Sequence, residues 1–338
     1  MTLASGTMAT DPTSAADAAL VVVHAAMSTT GPVRERNEDH LGWGVVGTTG
    51  SGVVVGSRAD LPPIPLISAV DGPLDAWGPV GGSASIGGDA RGAPAPRGAP
   101  APPGSGVVFC VADGLGGYGG GDVASRIAIG ELVERFERER TIPDEAASRG
   151  AAMLRAGFAA AHQRVFDAAL SGQGTRRMQT TLSALLLLPG EAHIGHVGDS
   201  RIYRRRGDML DLLTTDHTQV MEMLRMRLIR PDQAADHPAR HALTRSLGAE
   251  LTVRTDVRVE PLADGDTFLL CSDGLWSKVD SNEIRDALTG EVRAACERLV
   301  LLAVERGGED NATAITVRVE RAGRASERPR GWRRFLPS

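Results

Sequence analysis

Two apolar runs in this chain close on the same pair of residues, Phe109-Cys-Val-Ala-Asp113-Gly114 and Leu269-Leu-Cys-Ser-Asp273-Gly274. An aspartate ending a buried strand presents its carboxylate beyond the sheet. The glycine after it lets the backbone turn and approach a ligand closely. A third version is Ile194-Gly-His-Val-Gly198-Asp199-Ser200, and acidic turns recur at Asn37-Glu38-Asp39 and Gly307-Gly308-Glu309-Asp310-Asn311. Carboxylates gathered in one place repel each other and their pKa values rise, unless a cation lies among them. A donor set made of oxygen alone selects hard ions, Mg2+ or Mn2+, over zinc or copper. One Asp-Gly merely makes a turn. Its recurrence behind apolar strands points to divalent-ion chemistry.

Such residues need a scaffold. Period-two and short apolar runs predict strands over 20–28, 40–46, 107–112, 181–188, 192–197, 202–205, 209–213, 253–259, 267–271 and 313–319. Helical spacing predicts helices over about 122–140, 143–170, 217–228, 282–288 and 292–306. Strands, then helices, then strands again suggest α+β layers, with no repeat of solenoid length. Residues 1–19 are small and polar, the composition of a disordered N-terminus. Between residues 47 and 106 lie 10 of the 19 prolines and 14 of the 41 glycines, too little apolar matter to offset ordering.

Composition removes several classes of function. The chain has 338 residues, 42% of them hydrophobic, and a formal net charge of −5, so there is no basic excess for a general nucleic-acid binder. No apolar run approaches the roughly 20 residues of a membrane helix, and the N-terminus lacks a basic-then-apolar leader, which predicts a soluble, cytoplasmic protein. Cys110, Cys271 and Cys296 are too few and scattered for a disulfide framework or a zinc site. Lys278 is the only lysine, and no phosphate-binding P-loop sequence can be written around it. The eight histidines show no ligand spacing, and His193 and His196, flanking a strand, read as packed or exposed rather than functional.

In chain order, Arg34-Glu-Arg-Asn37-Glu38-Asp39, Ala112-Asp113-Gly114-Leu-Gly-Gly117, Val197-Gly198-Asp199-Ser200-Arg201, Cys271-Ser-Asp273-Gly274-Leu-Trp276 and Gly307-Gly308-Glu-Asp310-Asn311-Ala-Thr313 resemble the signatures of the metal-dependent protein Ser/Thr phosphatases, the PPM or type 2C class. Asp216-His217-Thr218 through Leu243-Thr244-Arg245-Ser-Leu-Gly248 resembles the flap of bacterial members. The resemblance implies an α+β fold, a β-sandwich of two antiparallel sheets with helices on both outer faces. It implies one phosphatase domain over 20–320, interrupted by the 47–106 insertion and followed by an Arg-rich tail at 321–338. Asp39, Asp113, Asp273 and Asp310, with the Gly114 carbonyl, would hold two Mn2+ or Mg2+ ions. Asp199 would help form a third, weaker site. Arg34 would grip the substrate phosphate, and Glu38 would assist behind the ions or through a bound water. The implied reaction is hydrolysis of phosphoserine and phosphothreonine by in-line attack of a water bridging the two ions. The implied partners are phosphorylated Ser/Thr proteins, a Ser/Thr kinase and its substrates among them.

Two rivals remain beside this. Gly114-Leu-Gly116-Gly-Tyr-Gly119 is a dinucleotide-type glycine pattern, but Asp113 would set a carboxylate against the pyrophosphate. The second is a catalytically weak PPM-like module that binds phosphoproteins for regulation. Two departures from the bacterial pattern feed it: Tyr118 where histidine is usual, and Met178-Gln179-Thr180 where Met-Gly-Thr is usual.

Overall fold

Strands that are apolar throughout, such as Leu182–Leu188, must bury both faces, and this chain does so by stacking two sheets between layers of helix. A computed structural model describes residues 20–46, 106–115, 120–138, 146–234 and 237–321. The expected disordered start (1–19), nearly all of the 47–106 insertion, Tyr118 and the tail beyond Arg321 lie outside the described residues.

The first sheet runs β1 (Val21–Thr29), β11 (Ala312–Arg321), β10 (Thr267–Cys271), β7 (Arg201–Arg206) and β8 (Met209–Leu212). The second runs β2 (Asp39–Val46), β3 (Gly106–Leu115), β5 (Leu182–Leu188), β6 (Glu191–Val197) and β9 (Asp256–Pro261), with the two-residue β4 (Gln179–Thr180) beside the end of β3. Every pairing is antiparallel. Parity on β3 shows how the layers arise: Val107, Phe109 and Val111 face the other sheet, whereas Val108, Cys110 and Ala112 face helices.

Those helices are α1 (Gly120–Arg138) and α2 (Ala146–Leu170), packed on the second sheet through Leu132, Phe136, Leu154 and Phe158. The outer face of the first sheet is covered by α5 (Asp273–Trp276), α6 (Ser281–Ala287) and α7 (Val292–Glu305), through Leu275, Ile284, Leu299 and Val300. The expected sandwich with helices on both outer faces is therefore what forms. Cys110, Cys271 and Cys296 are buried free thiols.

Between β8 and β9 lies the flap, with the short helices α3 (Gln219–Arg225) and α4 (Pro231–Ala234). A helix expected over 217–228 is shorter at both ends. Thr218 caps it by accepting from the Met221 amide, and Arg227 turns left-handed at φ 56° while Leu228 N–H donates to Met223 O. That is a Schellman ending, and it stops the helix at Arg225.

Candidate metal centre

The acids singled out in the sequence meet at one end of the sandwich, and strand register puts the first two there. Asp39 opens β2 directly opposite Asp113 near the end of β3. Each lies an even number of residues from the inward-facing Leu41 or Val111, so both point between the sheets. Across the gap, Ser272 follows β10 and its Oγ–H donates to Asp39 Oδ2 at 2.6 Å. Ser272 Oγ in turn accepts from the Thr313 amide at 3.1 Å, so one hydroxyl joins the two sheets at the cluster.

Two asparagines hold the loop that carries Glu38 and Asp39. Asn37 Oδ1 accepts from the Asp39 amide at 3.1 Å, and its Nδ2 donates to Ser28 Oγ at 2.8 Å. Asn311 Oδ1 accepts from the Glu38 amide at 2.8 Å, while its Nδ2 donates to Thr30 O and Arg36 O. Asp113 is clamped from β4: Thr181 Oγ1 accepts from its amide at 2.9 Å, and Thr180 Oγ1 donates to its carbonyl at 2.9 Å. Gln179, one of the departures from the bacterial pattern, accepts from Ser246 Oγ at 2.6 Å and so ties this clamp to the flap.

Asp199 follows β6 on a left-handed glycine, Gly198 at φ 109°. The Gly198 amide donates to His217 Nδ1, whose other nitrogen faces Asp256 Oδ2 at 3.1 Å. Trp276 Nε1–H donates to Asp199 O at 2.9 Å, and the Arg201 guanidinium lies 3.5 Å above the Trp276 ring while pairing with Asp216.

Burial pushes the carboxyls of Asp39 and Asp113 well above the usual carboxylate range, reinforced by their acidic neighbours. Asp199 rises to about 8, through burial first and then Asp273 and Asp216. Burial also raises Asp310, against the pull of Arg34. Glu38 is raised by burial as well. Mutual repulsion of this kind is relieved by a cation. Asp273 Oδ1 is buried without a hydrogen-bond partner, and Asp199, His241 and Asp273 each offer an atom within 4.8 Å of the others. The residues present thus fit divalent ions.

Beside the cluster opens a cleft of about 460 Å³ lined by Arg34, Arg240, His241, Asp273, Lys278 and Asp310, among others. Arg34 NH2 donates to Asp310 Oδ2 at 2.7 Å, and its Nε donates to Glu309 O at 3.2 Å. Lys278 pairs with Glu309 at 2.9 Å.

The structure therefore brings together every acid singled out in the sequence, with Arg34 at the rim and Glu38 beside Asp39. One residue was missed. His241 Nδ1 stands 3.3 Å from Asp273 Oδ2, and that carboxylate raises the ring's pKa. Local spacing could not reveal it, because His241 arrives from the flap and the aspartates from sheet ends. His193 and His196 are buried within β6, as packing residues should be.

The protein phosphatase 2C family matches residues 102–301. Protein phosphatase PhpP of Streptococcus pneumoniae is 35% identical over 210 residues, which is 61% of this chain and 83% of that protein. Serine/threonine phosphatase stp of Listeria monocytogenes is 35% identical over 213 residues, 62% of this chain and 83% of that protein. Among solved structures, the serine/threonine phosphatase PstP/Ppp of Mycobacterium tuberculosis aligns at a TM-score of 0.64 and 27% identity, covering 89% of this chain and 100% of that one. A PstP catalytic domain solved with two manganese ions aligns at 0.62 and 26% identity, covering 89% of this chain and 99% of the other.

Proposed function

We propose the chemistry of this centre from one premise: the chain belongs to the protein phosphatase 2C family. It is a metal-dependent protein serine/threonine phosphatase, a phosphoric monoester hydrolase that uses two Mn2+ or Mg2+ ions. The observation that carries the residue assignments is the convergence of Asp39, Asp113, Asp199, Asp273 and Asp310, from five separate segments, on one end of the sandwich.

In this reading Asp39, Asp113, Asp273 and Asp310, with the Gly114 carbonyl, hold the two ions, and Asp199 serves a third, weaker position. When bound, such ions neutralise phosphoryl oxygens and activate a water for in-line displacement. The chain's own residues do the rest. Arg34 offers a planar donor fork at the cleft rim, where it orients a phosphate and balances its charge. Glu38, next to Asp39 in the chain and feeling both Arg34 and Asp122, would assist behind the ions or through a bound water. Ser272, Asn37 and Asn311 keep the two sheet ends in register, so that the acids need no rearrangement as the reaction proceeds.

Phosphorylated Ser/Thr proteins are the substrates. We place a Ser/Thr kinase and that kinase's targets among them, an assignment supported by the kind of phosphoester the relatives' names describe. No helix among the described residues is long and apolar enough to cross a membrane. A cytoplasmic site of action fits the three buried free thiols.

The test is turnover of a phosphothreonine peptide by the full chain. Chelation should abolish it and Mn2+ or Mg2+ should restore it. Robust turnover in excess chelator after metal stripping would sink the reading. In the same assay Arg34→Ala should raise KM with metal affinity intact; loss of metal, read by calorimetry, would show a different role for Arg34.

We also assign residues 20–320 to one domain, with 47–106 as an excursion from it. Val46 and Gly106 are register partners at the ends of adjacent antiparallel strands, so a tight turn can join them. Replacing the intervening stretch by a short Gly/Ser loop should leave the melting temperature and the turnover close to those of the full chain, because closure entropy varies slowly with loop length. A collapse of either would mean that the stretch packs on the core or shapes the site.

A further inference from the structure

Among the described residues of the flap, His241 stands against a carboxylate of the acidic cluster. His241 Nδ1 lies 3.3 Å from Asp273 Oδ2, and the donor atoms of Asp199, His241 and Asp273 fall within 4.8 Å of one another. Asp199 is only 4% exposed, and Asp273 Oδ1 is buried with no hydrogen-bond partner. That orphaned oxygen needs a positive or donating group, and the ring stands on the same carboxylate. Two carboxylates alone would suit Mg2+ as well as any other divalent ion. An imidazole nitrogen shifts the preference toward first-row transition ions.

We infer that His241 is a ligand, through Nδ1, of an ion held between Asp199 and Asp273, and that it makes this position favour Mn2+ over Mg2+. The inference rests on the phosphatase reading of the same centre.

The ring's hydrogen bonds say what ligation must change. Arg240 Nε–H donates to His241 Nε2 at 2.9 Å. A guanidinium can only donate, so Nε2 accepts and the neutral ring carries its proton on Nδ1, toward Asp273. Ligation uses the Nδ1 lone pair: the proton leaves Nδ1, one is taken up at Nε2, and Nε2 no longer accepts from Arg240. Arg240 is thereby released into the cleft it already lines. The backbone need not move. Just after the ring's attachment, Gln219 N–H donates to Ala242 O at 2.8 Å and Thr244 N–H donates to His217 O at 2.7 Å. The ion would tie the flap to the sheet ends and free a cation for the phosphoprotein in one step.

The test uses the full chain with isotope-labelled histidine, stripped of metal and titrated with Mn2+ alone. Calorimetry counts the sites, and pulsed electron paramagnetic resonance reads histidine nitrogen coupling. The wild-type protein should bind a third, weaker Mn2+ that shows the coupling. His241→Ala should remove the coupling and weaken that site roughly tenfold or more, with the two tighter sites kept. His241→Asn restores an oxygen donor, so the third ion should return without the coupling and with less preference for Mn2+ over Mg2+. Three ions with no nitrogen coupling, coupling that survives His241→Ala, or only two sites in the wild-type protein would each overturn the inference and leave the phosphatase reading standing. No Mn2+ binding at all would bring down both.

Discussion

Asp113→Asn should cost orders of magnitude in kcat and, at the same time, make the metal-stripped protein harder to melt. Asp113 faces Asp39 across the β2–β3 register, and burial and four acidic neighbours hold its carboxyl well above the ordinary range. In the unfolded chain the same group ionises near pH 4. A carboxyl whose folded pKa is raised contributes stability below its unfolded pKa and loses it as pH climbs through the folded value. The cluster therefore destabilises the stripped protein progressively from about pH 4 upward, and for Asp199 the window extends to about 8. An asparagine keeps the shape, removes one charge and relieves the repulsion. The melting temperature should rise by about 2–4 °C for each kcal/mol relieved in a domain of this size. Metal then acts unequally on the two proteins, stabilising the wild type strongly and the variant little. Turnover of a phosphothreonine peptide, with melts of stripped protein at pH 5 and pH 8, checks both halves. Wild-type turnover in the variant would remove Asp113 from the chemistry. A stripped variant that melts lower than the wild type would mean that Asp113 is held by hydrogen bonds rather than strained by its neighbours.

The cluster was legible in the sequence where a physical pattern was local. Asp113 and Asp273 end apolar runs, and a strand with a charged end followed by glycine has few other uses. Asp39 and Asp310 became legible only through the order of the motifs, since their own neighbours look like ordinary polar turns. What stayed hidden depends on long-range register. The Ser272 hydroxyl joins Asp39 of one sheet to the Thr313 amide of the other, yet in sequence it is a small polar residue beside a strand. His241 reaches Asp273 from a loop without periodicity. The turn α5 escaped detection because Gly274 is a poor helix former, and it forms only because Leu275 buries against the outer face of the first sheet. Local propensity set the long elements; tertiary contact set these short ones.

Gly114→Ala should disable the centre from the backbone side. Glycine after Asp113 could have been needed for a left-handed turn or for space, and the structure decides between them. Gly114 is not among the glycines at positive φ, so conformational freedom is not the reason. A Cβ built there would sit 2.7 Å from the Glu38 carbonyl oxygen and closer still to the carbonyl of Gly121. Both obstacles are backbone, so no side-chain rotation clears them. The Glu38 carbonyl is itself fixed, accepting from Gly114 N–H at 3.1 Å and from Ser125 Oγ–H at 2.5 Å. Alanine must then lift the first turn of α1 off the sheet or push Asp113 out of line with Asp39. Overpacking into yielding cores costs about 1–3 kcal/mol, and this site yields less. Gly130→Ala is the control: it lies within the same helix, its Cβ would meet nothing within 4 Å, and it should stabilise by roughly 0.5–1 kcal/mol. Melting temperature and Mn2+ affinity measured on both variants separate the cases. The expected result is a large loss of both for Gly114→Ala and a small gain in melting temperature for Gly130→Ala. Gly114→Ala with unaltered Mn2+ affinity would show that the first turn of α1 moves freely, and that the glycine serves no purpose in placing Asp113.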